Sequence, residues 1–499
     1  MANANSAAPS RVATGIKGLD AILEGGLTPA RLYLVEGDPG SGKTTLGLQF
    51  LLEGAKRGEK VIYVTLSETK DELWSVARSH GWSLDDISIS ELVPTVESLE
   101  PDEENTMFYP SEVELSATIH AVLKEIAATA PTRVVFDSLS EIQLLAQNPL
   151  RFRRQILALK QFFVGRDCTV LLLDDRSSGA NDGQLQSIAH GVIALERESP
   201  DFGTMRRRVQ ILKLRGQHVC EGFHDYILAH GGLRVFPRLT TVAHEEHEDL
   251  EPVPSGIAEL DLILGGGLDK GTSTLLIGPA GTGKSTLAAQ YACNGARRGE
   301  RTAMFLFDES PKTLRARCRG MGMDLDGALA SGKLTIRRVD PGELSPGEFA
   351  HAVQAEVDQG ASMIVIDSLN GYLNAMPDAR FLTLQLHELL ACLGRRGVNT
   401  LLLLAQQGLI GATMQTPVDT SYLADTVMVL RYFEAYGYVR QAMAVVKKRG
   451  GYHERTIREY KFQKEGIKIG PPLEEFHGVL SGTPTFHGAD KTLLRGGRL

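Results

Sequence analysis

Two stretches of this chain have the residue types and spacing to grip a nucleotide. They are Gly37-Asp38-Pro39-Gly40-Ser41-Gly42-Lys43-Thr44 and Gly278-Pro279-Ala280-Gly281-Thr282-Gly283-Lys284-Ser285, and both match the phosphate-loop pattern G-x-x-x-x-G-K-[ST]. An apolar run leads into each, Leu32–Val35 or Thr274–Ile277, and a helical pattern starting at Thr45 or Thr286 leads out. In such a loop the glycines let backbone N–H groups turn inward around phosphates, and the lysine reaches the β and γ oxygens. The Thr44 or Ser285 hydroxyl can ligate Mg²⁺, and the helix N-terminus adds its positive dipole. ATP and Mg²⁺ are the expected cofactors, with residues 37–45 and 278–286 as the ATP-binding set.

Moving a γ-phosphoryl group also needs a residue that orients the attacking water or hydroxyl. The strands Arg133-Val134-Val135-Phe136-Asp137 and Met363-Ile364-Val365-Ile366-Asp367 have the Walker B form, so Asp137 and Asp367 join Thr44 and Ser285 as the expected metal residues. Serine, not glutamate, follows each aspartate. The catalytic carboxylate must come from another strand end, and Glu68 and Glu309 each stand 25 residues after their loop lysine. The second half carries a pair, Asp308-Glu309, where the first has Ser67-Glu68, so different chemistry is expected at the two sites. Lys213-Leu214-Arg215-Gly216 and Lys447-Lys448-Arg449-Gly450 recur after the Walker B strands. In ring-forming ATPases such basic tails reach the γ-phosphate of the neighbouring subunit, which makes Lys213, Arg215, Lys447 and Arg449 candidate phosphate contacts in trans and predicts an oligomer.

These residues imply the elements that must hold them. The loops lie 241 positions apart, and the same offset aligns Thr14-Gly15-Ile16…Leu19-Asp20 with Ser255-Gly256-Ile257…Leu260-Asp261, a tandem duplication. Lysine and Walker B aspartate are 94 residues apart in the first half and 83 in the second; the extra length falls on the acidic stretch Glu100–Glu104, read as a solvated loop. Alternating strands and helices, then hairpins, predict α/β domains of the RecA-like phosphate-loop type, each a mostly parallel doubly wound sheet with an antiparallel extension. The expected domains are 12–243 and 254–485, with an exposed linker at 244–253 and a flexible tail from about 485. His244 and His247 in the linker belong to a solvated charge run. A net charge of −8 argues against a nucleic-acid-tracking surface, and five scattered cysteines read as reduced thiols. No run reaches the roughly 18 apolar residues of a membrane span, and the small, polar N-terminus adds to an expectation of cytoplasmic location.

Taken together, the loops, the carboxylates after the second strand, Ile366-Asp367-Ser368-Leu369, Ala424-Asp425-Thr426, Lys447-x-Arg449-Gly450…His453…Ile457-Arg458-Glu459 and Ser481-Gly482-Thr483-Pro484 resemble the KaiC family of bacterial and archaeal clock proteins. The resemblance covers roughly residues 12 to 485. It implies a homohexamer of two stacked rings that binds ATP at subunit interfaces, the first ring a slow ATPase and the second a Ser/Thr autokinase and phosphatase, with signalling or clock proteins as partners. Asp308 and Glu309 match the family's paired carboxylates in the kinase ring, and Glu68 matches one of the pair in the other, with Ser67 in place of an acid. Anchored on Asp425-Thr426, the family's adjacent phosphoacceptors fall on Ser421 and Tyr422, with Thr420 just before, so Ser421 or Thr420 is the implied acceptor.

Two other classes of function fit the residues less fully. One is an ATP-dependent assembly switch without phosphoryl transfer to protein, favoured by the altered acceptor pair. The other is a RecA-like ATPase acting on DNA, which the acidic balance and the lack of an aromatic and basic platform oppose.

Overall fold

Alternate residues of the strand Leu32–Gly37 enter two different cores. Tyr33 and Val35 pack with Leu46 and Phe50 of the helix Lys43–Lys56, whereas Leu32 and Leu34 pack with Ile156 and Phe163 of the helix Pro149–Phe163. All six residues of the strand are buried. Covered on both faces, it must be apolar nearly throughout, and this is why it reads as a continuous hydrophobic run.

The computed structural model describes residues 11–91, 110–146, 148–176, 182–200, 203–239, 251–373, 379–406, 422–481 and 484–486. The chain divides between Arg238 and Leu239 into two compact units. In the first unit the strands lie in the order Ser88–Glu91, Val61–Thr65, Arg133–Asp137, Thr169–Asp175, Leu32–Gly37, Gly191–Glu198, Arg206–Leu214, His224–Ala229, Gly232–Phe236. The first six are mutually parallel and the last three are added antiparallel. The second unit repeats the order with Leu334–Arg338, Arg301–Leu306, Ala361–Asp367, Asn399–Ala405, Ser273–Gly278, Thr426–Ala435, Tyr438–Lys448, Arg458–Gln463 and Gly466–Pro472. These are the two tandem α/β domains, parallel sheet with antiparallel extension, that the strand pattern predicts.

A six-residue helix enters each unit, Lys17–Ile22 or Ala258–Ile263, and glycines with positive φ end it, Gly25 and Gly26 or Gly265 to Gly267. Glu24 adopts φ 49° at the position that Gly265 fills in the second unit. Among the described residues no helix is long and apolar enough to cross a membrane.

The acidic stretch 100–104 and the histidines at 244 and 247 lie outside the described residues. The tail expected to be mobile from about 485 instead begins in a strand pair: Thr485–Phe486 joins Phe476–His477. The cause is aromatic, since the Phe486 ring packs at 5.0 Å from Phe476 and 5.7 Å from Tyr436.

Candidate nucleotide site

The loop geometry begins with close backbone approach. A Cβ on Gly37 would lie 2.5 Å from the Leu195 carbonyl, and one on Gly278 would lie 2.3 Å from that of Leu430. Gly42 and Gly283, at φ 98° and 92°, are the left-handed N-caps of the helices Lys43–Lys56 and Lys284–Arg297, a conformation that glycine adopts without steric cost. Tyr226 and Tyr460 brace the loops from the antiparallel extension, donating to the carbonyls of Ser41 and Thr282.

Both lysines fold back on their own loops. Lys43 donates to the carbonyls of Gly37 at 2.9 Å and Asp38 at 3.1 Å, and Lys284 to those of Gly278 and Pro279, each at 2.8 Å. Among the described residues, only Lys43 of the two also pairs with a carboxylate, Asp175 at 2.6 Å. Register explains the difference: Gly37 lies beside Asp175, whereas Gly278 lies beside Ala405. Burial pulls the Lys284 ammonium down to about 8.

The Walker B aspartates meet the loop hydroxyls. Thr44 donates to Asp137 Oδ2 at 2.8 Å, and Tyr63 donates to the same oxygen. Ser285 hydrogen-bonds Asp367. The counterpart of Tyr63 is Met304, and Asp367 Oδ2 is buried without a hydrogen-bond partner among the described residues. Burial raises both carboxyls, Asp367 to about 6. A hydroxyl and a carboxylate side by side under the loop suit a hard cation that also takes phosphate oxygens and water.

The strand-end carboxylates differ more than their sequences suggest. Glu68 has a buried Oε2 with no hydrogen-bond partner among the described residues; burial, then the charges of Asp137 and Glu72, push its carboxyl up to about 7. Asp308 accepts a hydrogen bond from Ser368. Glu309 is held by Arg317, whose two Nη atoms donate to Oε1 at 2.6 Å and Oε2 at 2.7 Å. Within the pair, Asp308 is exposed and shares one oxygen with Ser368, whereas Glu309 has both oxygens on Arg317.

The basic tails sit at the other end of the sheet. Leu214 is paired with Gly191 and Lys448 with Thr426, which lie beside Tyr33 and Thr274, at the amino ends of the loop strands. From there to Gly37 or Gly278 is four residue steps, about 13 Å along the strand. Lys213 donates to the carbonyls of Gln186 and Ala189, and Arg215 to that of Ser187. Lys447 donates to the Ala424 carbonyl, while Arg449 donates to Tyr422 and pairs with Asp425 at 3.3 Å. Neither tail serves the loop of its own unit in this conformation.

Ser421 and Thr420 lie outside the described residues; Tyr422, next in the chain, is exposed. Sequence reasoning missed Asp175 and Arg317. Asp175 was findable as an acid at the carboxyl end of an apolar strand, and Arg317 as a cation on the helix that follows Glu309.

A family model described as ATPase: KaiC matches residues 12–240 and 253–474. The circadian clock oscillator protein KaiC of Thermosynechococcus vestitus is 29% identical over 488 residues, covering 96% of this chain and 93% of that protein. That of Synechococcus elongatus is 28% identical over 489 residues, with 97% and 93% covered. The circadian clock protein KaiC3 of Synechocystis is 27% identical over 483 residues, with 95% of each covered.

Proposed function

The chain belongs to the KaiC family of ATPases, and we propose that it is a cytoplasmic ATPase and autokinase with divided labour. The first unit hydrolyses ATP slowly; the second transfers the γ-phosphoryl group to its own Ser421 or Thr420 and can remove it again. The observation that carries the reading is the convergence, in both units, of loop lysine, loop hydroxyl and buried aspartate at the carboxyl ends of parallel strands, the crevice where open α/β sheets bind ligands.

Thr44 with Asp137, and Ser285 with Asp367, would hold Mg²⁺; the buried oxygen of Asp367 that has no partner among the described residues supports this fit. Bound there, the ion would neutralise charge that builds on the phosphate oxygens. Lys43 and Lys284 bind the β and γ oxygens. Glu68 orients water and accepts its proton, a role that suits a carboxyl poised near neutrality. Asp308 and Glu309 are the corresponding carboxylates of the second site.

Lys213, Arg215, Lys447 and Arg449 reach the γ-phosphate of the next copy in a homohexamer, and their position at the sheet end opposite the loop favours delivery between subunits over delivery within one. The curated relatives are named as clock proteins, which supports clock or other signalling proteins as partners.

Intact mass after incubation with ATP tests the kinase assignment. One added phosphate that disappears in Ser421→Ala, or in Thr420→Ala, is expected; no added phosphate in any form would remove the assignment. A second reading, an ATP-dependent assembly switch without transfer to protein, draws on Tyr422 at the second acceptor position. It predicts nucleotide-dependent ring formation with no mass change, and sedimentation that stays monomeric with ATP would count against both.

A further inference from the structure

The two units put equivalent glutamates at equivalent strand ends and give them opposite surroundings. In the second unit Arg317, on the helix Pro311–Gly320, occupies both oxygens of Glu309 with one guanidinium fork, at 2.6 and 2.7 Å. Glu309 is mostly buried and Arg317 is only about a third exposed, with side-chain accessibilities of 19% and 31%. Such a bidentate pair fixes the direction of the carboxylate. In the first unit the position of Arg317 is taken by Val76, on the helix Lys70–Ser79, and Val76 packs on the apolar core. Glu68 is left with a buried Oε2 that accepts no hydrogen bond from the described residues.

The remaining charged and titratable neighbours sharpen the contrast. Facing Glu309 are Arg317, Cys318 and Asp367. Among the described residues, those facing Glu68 are Asp137, Glu72 and Tyr63, with no cation among them.

We propose that Arg317 is a positioning residue that holds Glu309 away from water and leaves the acceptor hydroxyl to Asp308, so that the second site keeps its ATP for transfer while the first site hydrolyses. This rests on the reading of Glu68 and Glu309 as the nucleophile-orienting carboxylates. In hydrolysis the water oxygen bonds to the γ-phosphorus, the bond to the β–γ bridging oxygen breaks to release ADP, and the proton of the water passes to a carboxylate oxygen. Glu68 offers such an oxygen. Glu309 offers only the lone pairs that the guanidinium fork leaves free, in the direction that the fork fixes. The duplication thus contains its own control, since the same strand end lacks the fork in the copy assigned to hydrolysis.

The test uses the full chain in a Glu68→Gln background, which silences first-site hydrolysis and leaves both phosphate loops intact, and follows phosphate release. Arg317→Ala should raise hydrolysis by roughly 10-fold or more, as expected of a freed general base. Arg317→Lys should fall between, because one ammonium cannot fill both oxygens. Conversely, Val76→Arg in a Glu309→Gln background should slow first-site hydrolysis, with thermal unfolding reporting whether the variant is folded. If Arg317→Ala leaves the rate unchanged or lowers it, while Glu309→Gln abolishes the residual hydrolysis, the restraint is wrong and the base assignment stands. If Glu68→Gln and Glu309→Gln both leave hydrolysis unchanged, the underlying assignment fails and takes the proposal with it.

Discussion

Asp175 Oδ1 lies 2.6 Å from Lys43 Nζ, and the residue in register with Asp175 beside the second loop is Ala405. The first site therefore holds an internal anion against the ammonium that must meet the phosphates, and the second, among the described residues, does not. Asp175 is 42% exposed, so water screens the pair and its worth is at most about 1 kcal/mol. Asp175→Ala is expected to tighten ATP binding at the first site by up to about fivefold, and Ala405→Asp to weaken it at the second. Titration calorimetry on each variant, with the other loop disabled by Lys→Ala, checks both directions.

Glu68 makes the first site pH-sensitive. Its carboxyl rises from an ordinary 4.5 to about 7, so the folded chain binds this proton more tightly than the unfolded chain does. The stabilisation is complete below about 4.5 and is lost as pH rises through about 7. Glu68→Gln should flatten the fall in melting temperature across that window. First-site kcat/KM should rise with pH through the same range, because only the ionised form accepts a proton from water. A rate independent of pH between about 6 and 8, roughly one unit either side of that value, would contradict the assignment.

Lys284 is buried, has no carboxylate partner among the described residues, and has its ammonium lowered by burial to about 8. Phosphate oxygens return the proton, so binding and protonation are linked. Affinity of the second site for ATP should drop above about pH 8, by up to roughly tenfold per pH unit. Lys284→Arg should abolish the drop whatever it does to affinity, since guanidinium stays charged.

Arg133 is the largest of the fully buried side chains at 1% exposure. It pairs with Glu59 at 2.6 Å and donates to the carbonyls of Ala13 and Phe50, tying the entry segment and the loop helix to the Walker B strand. Arg133→Met would leave two carbonyls and a carboxylate without their donor. A loss of about 3 kcal/mol in the first unit is expected, a fall of roughly 6–12 °C in its unfolding temperature. Calorimetric scans should show the second unit's transition unmoved.

Much of the fold was legible because its signals are local. The apolar runs before each loop, the glycines that cap the entry helices and the aspartates that close the Walker B strands are each specified within a few residues, and the repeat at 241 positions checked each against its twin. The environment of the catalytic carboxylates was not legible in the same way. Asp175 reaches Lys43 across 132 positions of sequence, through strand register that no local pattern encodes. Arg317 lies eight residues from Glu309, close enough to be seen, yet a cation on an exposed helix is usually just solvated. Residue type alone gives the pair Asp308-Glu309 but not its donors; the hydroxyl of Ser368 and the fork of Arg317 belong to packing.

The placement of the basic tails at the amino ends of the loop strands has a consequence for mixtures. Under the proposed ring, one copy supplies the loop and the next supplies the tail, so the two lesions Lys284→Ala and Arg449→Ala damage different faces of one composite site. Co-assembled, a loop-dead and a tail-dead copy would restore whole sites wherever their intact faces meet and lose both faces wherever the defective ones meet. Activity would then follow the arrangement of neighbours around the ring, not the average of its members.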